Sequence, residues 1–209
     1  SAVALAALRI SHLPQETRRV VSLAAALGHY FEVETLATIC GQGAEETEAH
    51  LIEACEERVL LKHGEGYRFE HDQVQEATYT LIPDEARPET HLRISRLLRD
   101  QAQEDKPAKI FEIVDHLNRA VSILKSFEER EDAARLNLDA GLKAKGTAAF
   151  PSAFQYFSIG ITLLDPNAWE KTYNLALALH SEAAETASLT ADFQETDRLV
   201  KQVHDHART

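Results

Sequence analysis

Histidine and aspartate stand side by side at His71-Asp72 and at Asp115-His116, with His91 between these pairs. Imidazoles and carboxylates are the ligands of metal-dependent phosphohydrolases, which need several of them converging on one ion. Asp72 has a simpler role open to it. It follows an alternating aromatic run and precedes Val74, Ala77 and Tyr79 at helical spacing, with Gln75 three residues on. That is the spacing of a capping box, with Asp in place of Ser or Thr. Asp72 is therefore expected to open a helix, Gln75 to close the box, and His71 to end a strand tucked against a hairpin. On this reading Asp72→Ala costs about 0.5–2 kcal/mol. The ten histidines are otherwise dispersed, and His204-x-His206 falls in a helix end where solvated imidazoles are common.

Other chemistries find no support in the spacing. Gly41-Gln42-Gly43 and Gly64-Glu65-Gly66 are too short to cradle phosphates, and neither a Walker A run nor a Gly-x-Ser-x-Gly elbow occurs. Cys40 and Cys55, the only cysteines, fit no zinc or redox motif and sit among apolar helical positions. They read as buried thiols of a reducing cytoplasm. No catalytic residue, metal or other cofactor is expected.

The elements that carry these residues are mostly helical. Ala, Leu and Glu are abundant, with only 8 Gly and 6 Pro in 209 residues. No apolar run reaches the ~18 residues of a membrane span. There is no Met, so the chain is expected to be a piece of a longer protein. Helices are predicted from Pro14 to Leu27, over Glu34–Cys40 and over Ala44–Arg58. A hairpin comes next, Val59–His63 and Tyr67–Glu70 around Gly64-Glu65-Gly66, expected as the one sheet. Three helices and a hairpin give a winged-helix-like domain over residues 11–82. Past Pro83 the periodicity is helical throughout. Helices are predicted over Asp84–Gln103, from Pro107 through Leu124, over Phe127–Ala148, from Pro151 to Asp165, over Ala168–Thr190 and over Phe193–Ala207.

This second stretch, residues 83–209, contains a repeat. Ala140-Gly141, Ala144, Ala153, Phe157, Gly160 and Asp165-Pro166 match tetratricopeptide spacing, so residues 134–167 fit its ~34-residue frame. Ala184, Ala187, Phe193 and Val200 fit a second pass loosely. The fold class is mainly α: a winged-helix-like domain with one small β-hairpin, then a tetratricopeptide-like helical array. Such arrays present the inner face of each first helix to partners. The frame places Asn137, Lys143 and Lys145 there, and Asn174 on the next long helix. The asparagines suit a partner's backbone and the lysines a carboxylate.

Net charge is −12, and residues 1–105 hold 19 acids against 10 bases. A winged helix would insert its third helix into DNA. Here that helix carries Glu45, Glu46, Glu48, Glu53, Glu56 and Glu57 against Arg58. Phosphate contacts need Lys and Arg, so nucleic acid is not an expected partner.

The string Tyr67-Arg68-Phe69-x-His71-Asp72-x-Val74-Gln75-x-Ala77-x-Tyr79-x-Leu81-Ile82-Pro83 resembles one protein family region. Leu13-Pro14-x-x-Thr17-Arg18 before it, and Arg87-x-x-x-His91, Phe111-x-Ile113-Val114-x-His116-Leu117-Asn118 and Leu136-Asn137-Leu138-x-Ala140-Gly141 after it, continue the likeness. The region is the helical segment that follows the AAA-like core of STAND signalling ATPases, including multidomain ATPase–GAF–histidine kinase proteins. The resemblance implies a cytoplasmic, non-catalytic regulatory and interaction module. Its expected partners are neighbouring ATPase, GAF or kinase domains, or a separate signalling protein, with no nucleic acid and no membrane. The alternative is a winged-helix transcription regulator with a helical effector domain.

Overall fold

The structure, a computed structural model, describes residues 2–102 and 106–207. The chain divides into two compact units, Ser1–Leu97 and Leu98–Thr209.

The first unit begins with α1 (Ala2–His12) and α2 (Gln15–Leu27), then β1 (Tyr30–Phe31), α3 (Val33–Cys40) and α4 (Ala44–Glu56). Strands β2 (Leu60–His63) and β3 (Gly66–Phe69), α5 (Asp72–Tyr79) and a 3₁₀ turn at Asp84–Ala86 lead to α6 (Arg87–Ala102), which runs past the unit boundary. Helix α2 lays Val20, Val21 and Ala24 against α4 and α5, and α1 rests on α5. The 3.6-residue period puts these apolar positions on one face. Their partners across the core include Leu36, Leu51, Leu60 and Phe69. The helix after α3 needs a sharp reversal, which Gly41 provides in the left-handed region at φ 70°.

The sheet departs from the expected two-stranded hairpin. It has three antiparallel strands in the order β1-β3-β2, with Arg68 opposite both Tyr30 and Leu61. A two-residue strand is too short to show alternation, so β1 leaves no mark in the sequence. Its approach to β3 depends on Gly66: a Cβ there would lie 2.4 Å from the Phe31 carbonyl oxygen. Tyr67 and Phe69 point inward at period two and meet Phe31, with ring centroids 6.4 and 6.0 Å apart.

In the second unit, the last residues of α6 are followed by α7 (Lys106–Asn118), a 3₁₀ turn at Val121–Ile123, α8 (Phe127–Gly146) and α9 (Phe150–Leu163). The one-turn α10 (Ala168–Lys171), α11 (Tyr173–Leu189) and α12 (Phe193–His206) complete it. Consecutive helices pair α8 with α9, α9 with α11 and α11 with α12, while α8 also touches α11. That is a tetratricopeptide-like stack, and with the first unit it makes the chain mainly α. A capping box starts α8: Glu129 N–H donates to Ser126 Oγ at 3.1 Å, and Ser126 N–H to Glu129 Oε2.

Two predicted helices are interrupted. The stripe through Leu124 is broken after Asn118, where Ala120 leaves helical geometry and the 3₁₀ turn begins. The helix expected over Ala168–Thr190 is cut at Thr172 (φ −131°, ψ 46°), and at this break the Trp169 ring comes 4.9 Å from His180 and 6.0 Å from Tyr173. Periodicity cannot register such a break, because the apolar spacing of the sequence runs on through it. The predicted end of α6 at Gln103 lies outside the described residues.

The α8–α9 crossing leaves no room for a side chain at position 141. A Cβ on Gly141 would stand 2.3 Å from the Phe157 ring, whereas Gly146 has nothing within 4 Å. Thermal or urea unfolding should therefore separate two like substitutions. Gly141→Ala is expected to lose about 1–3 kcal/mol from overpacking, and Gly146→Ala to gain up to about 1 kcal/mol from reduced chain entropy. Equal effects would mean that the crossing is not tightly packed.

Candidate functional site

The four residues expected to face a partner are not gathered on one surface. Asn137 is fully buried. Its Nδ2 donates to Asn118 Oδ1 at 2.8 Å and to Ala133 O at 2.9 Å, while Asn118 Nδ2 donates back to Asn137 Oδ1 at 2.9 Å. This reciprocal amide pair joins α7 to α8, and Asn137 is a packing residue. The expectation that it meets a partner is corrected on that ground. A signal was present in the sequence: Asn137 shares the small-residue stripe Ala133, Ala134, Ala140, Gly141 and Ala144, all buried.

Lys145 is likewise committed. Its Nζ lies 2.8 Å from Glu182 Oε2 and 2.6 Å from Glu185 Oε2 on α11. Burial pulls the ammonium's pKa down, but the hydrogen bonds to these two carboxylates outweigh it and the net shift is upward. Lys143, half-buried, sits 5.1 Å above the Phe111 ring. Asn174 is exposed on α11.

The His71-Asp72-Gln75 expectation also needs correction. Helix α5 starts one residue earlier than expected, because the His71 carbonyl accepts from Val74 N–H at 3.0 Å and Gln75 N–H at 3.2 Å. His71 is thus the N-cap, with no side-chain capping bond, and it is exposed rather than tucked against the hairpin. Asp72 occupies the first helical position with its carboxylate almost wholly in solvent, 3.3 Å from His29 Nδ1. Gln75 ties helices together instead, its Nε2 donating to Ala25 O at 3.1 Å. Among the described residues no group of three or more His, Cys, Asp or Glu is placed to hold a metal ion. Asp115 accepts from the Tyr156 hydroxyl at 2.7 Å; burial and then this bond push the phenol's pKa up.

Helix α4 keeps its carboxylates at the surface. Glu45, Glu46 and Glu56 are exposed. Glu48 accepts from Lys62 Nζ at 2.8 Å and from the Tyr67 hydroxyl at 3.0 Å; these bonds, Lys62 first, hold its pKa below the usual carboxylate value. Glu53 accepts from Thr17 Oγ1. The exposed ridge Glu45–Ala49–Ile52–Glu56 offers duplex DNA carboxylates and an isoleucine. Burial raises the Cys40 thiol to about 11, so it is no nucleophile at neutral pH.

A feature the sequence did not disclose is a groove between α2, the Leu81–Pro83 turn and the start of α6, lined by Arg18, Arg19 and Arg93. The arginines come from distant segments, so no local pattern announces them.

No protein-family profile matches the chain. Hybrid signal transduction histidine kinase G of Dictyostelium discoideum is 27% identical over 168 residues, covering 68% of this chain and 5% of that protein. The chain thus spans about one-twentieth of the curated relative it matches. Among solved structures, a STAND protein with a tetratricopeptide repeat sensor from Pyrococcus horikoshii aligns with 94% of this chain and 32% of its own, at 14% identity and a TM-score of 0.42.

The asparagine pair and Asp72 give opposite expectations in thermal unfolding. Asn137→Leu, which removes both partners of the half-buried Asn118 amide, should cost about 1–3 kcal/mol. Asp72→Ala, removing only a solvated charge near a helix start, should cost about 0.5 kcal/mol or less. The reverse order would restore the capping box and dismiss the amide pair.

Proposed function

We propose that this chain is a non-catalytic regulatory and protein-interaction module of a larger, cytoplasmic signal-transduction ATPase or sensor kinase. In that reading it couples a nucleotide-binding core to partner or downstream domains. The observation that carries it is the relation to the hybrid histidine kinase. At 168 aligned residues it is longer than either compact unit, so it extends beyond any single motif. The helical stack of the second unit supports the reading physically. Stacked hairpins bury a continuous core between neighbours and leave the inner faces of their first helices to other molecules.

The winged-helix order of the first unit is what would favour a DNA-binding regulator. The carboxylates of α4 speak against it, since five acids on the would-be reading helix repel the phosphate backbone.

The test uses the parent protein. Excising residues 98–209 should leave ATP affinity within about twofold and change signal-dependent output about tenfold or more, a coupling of about 1.4 kcal/mol. Unchanged output would refute the module reading. Sub-micromolar binding of duplex DNA by the chain at about 150 mM salt would replace it with the regulator.

A further inference from the structure

The groove on the first unit has a volume of about 440 Å3. Arg18 and Arg19 reach it from α2 and Arg93 from α6, and no carboxylate side chain lines it. In a chain with 34 Asp and Glu against 22 Lys and Arg, this reverses the prevailing charge. Two of the three guanidiniums are already engaged. Arg19 Nε donates to Glu16 Oε2 at 2.8 Å, and Arg93 to the Ile39 carbonyl oxygen at 2.6 Å.

Arg18 differs. It is half-buried, and its side chain makes no hydrogen bond or ion pair with any described residue. A guanidinium stays charged at every pH the fold meets, so partial burial without an anion is a cost left unmet. Arg18 also lines a second hollow of about 560 Å3 between α1, α2 and α5, so it stands where two concavities meet. Leu81, 43% exposed, lines both. Leu23, Ile82, Pro83 and Ala86 make the rest of the groove largely apolar.

We propose that this groove docks an acidic amphipathic segment of a partner protein, with an Asp or Glu carboxylate on Arg18 and apolar side chains over Leu23, Leu81 and Pro83. The proposal rests on the interaction-module reading and names its surface and the chemistry of its partner. A planar carboxylate matches the guanidinium fork. A free phosphate would satisfy the charge but leave the apolar side chains nothing to bury. An amphipathic segment with apolar residues at i, i+3 or i+4 beside a carboxylate uses both features. It does so against the long-range repulsion of a net charge of −12, so recognition must be local to the groove.

The experiment pans a random-peptide display library against the whole chain and measures the selected peptides by fluorescence anisotropy. Selected sequences should combine Asp or Glu with Leu, Ile or Phe. Their affinity should fall at least about tenfold on Arg18→Glu/Arg19→Glu, whose lost Glu16 pair is an exposed one of little worth to stability. Leu81→Glu provides an independent variant should the double replacement fail to fold, as judged by circular dichroism. Enrichment of basic peptides, no enrichment, or peptides indifferent to both variants would overturn the proposal. Displacement of the peptides by inorganic phosphate, but not by acetate at equal ionic strength, would overturn it in favour of a phosphoryl ligand. Peptides that bind but ignore the groove variants dismiss the groove alone; the module reading is tested separately, by the excision and DNA experiments.

Discussion

Close packing at glycines, where a missing side chain admits a neighbour, is the constraint on which both units depend. In the second unit the Phe157 ring fills the space above Gly141, and Gly160 admits Leu179, whose Cδ2 would lie 2.7 Å from any added Cβ. Fixing α8 on α9, and α9 on α11, leaves little freedom for the next pair, because protein interiors are close-packed and shift in discrete steps. In the first unit Gly66 does the same for strands, drawing β1 onto β3 and closing the aromatic set Phe31, Tyr67 and Phe69 over the helices.

Polar groups lock what packing brings together. The Asn118–Asn137 pair satisfies a buried and a half-buried amide with each other, so a slip of α7 along α8 would break both bonds. Gln75 bonding to the Ala25 carbonyl does comparable duty between α5 and α2. Among the described residues, three helix ends use the left-handed region without glycine, at Arg58, Ala148 and Ala191. In each, the next N–H reaches back across the last turn, as Val59 N–H does to Ala54 O at 2.9 Å. These ends accept strain to reverse the chain within a few residues.

Much of this could be read from the sequence, for physical reasons. Apolar spacing located α2, α3, α4, α8, α9 and α12 because each buries a single face. Gly64 and its neighbours located the hairpin, and Gly141, Phe157 and Gly160 the helical repeat. Two of the misses, Asn137 and the arginine groove, share a cause, which is that the deciding partner lies elsewhere in the chain. Asn137 looked like a surface asparagine because Asn118 belongs to another helix. Asp72 looked like a cap because a one-residue shift in α5, set by the His71 carbonyl, does not show in residue type. The arginine groove is assembled from two segments with no common motif. A two-residue strand such as β1 carries too few side chains to reveal a period.

The two units offer different surfaces. The first carries an acidic ridge on α4 and a basic groove beside α2, while the second carries a stacked helical surface. The central claim, that these are parts of a relay rather than of a free-standing DNA reader, meets its most direct test in hydrogen exchange of the parent protein. Exchange would be monitored by mass spectrometry with ATP, with ADP and with no nucleotide. A relay predicts that backbone protection within residues 11–97 changes between the ATP and ADP states, although no nucleotide-binding motif lies there. Identical exchange across residues 2–207 in all three states would contradict the account.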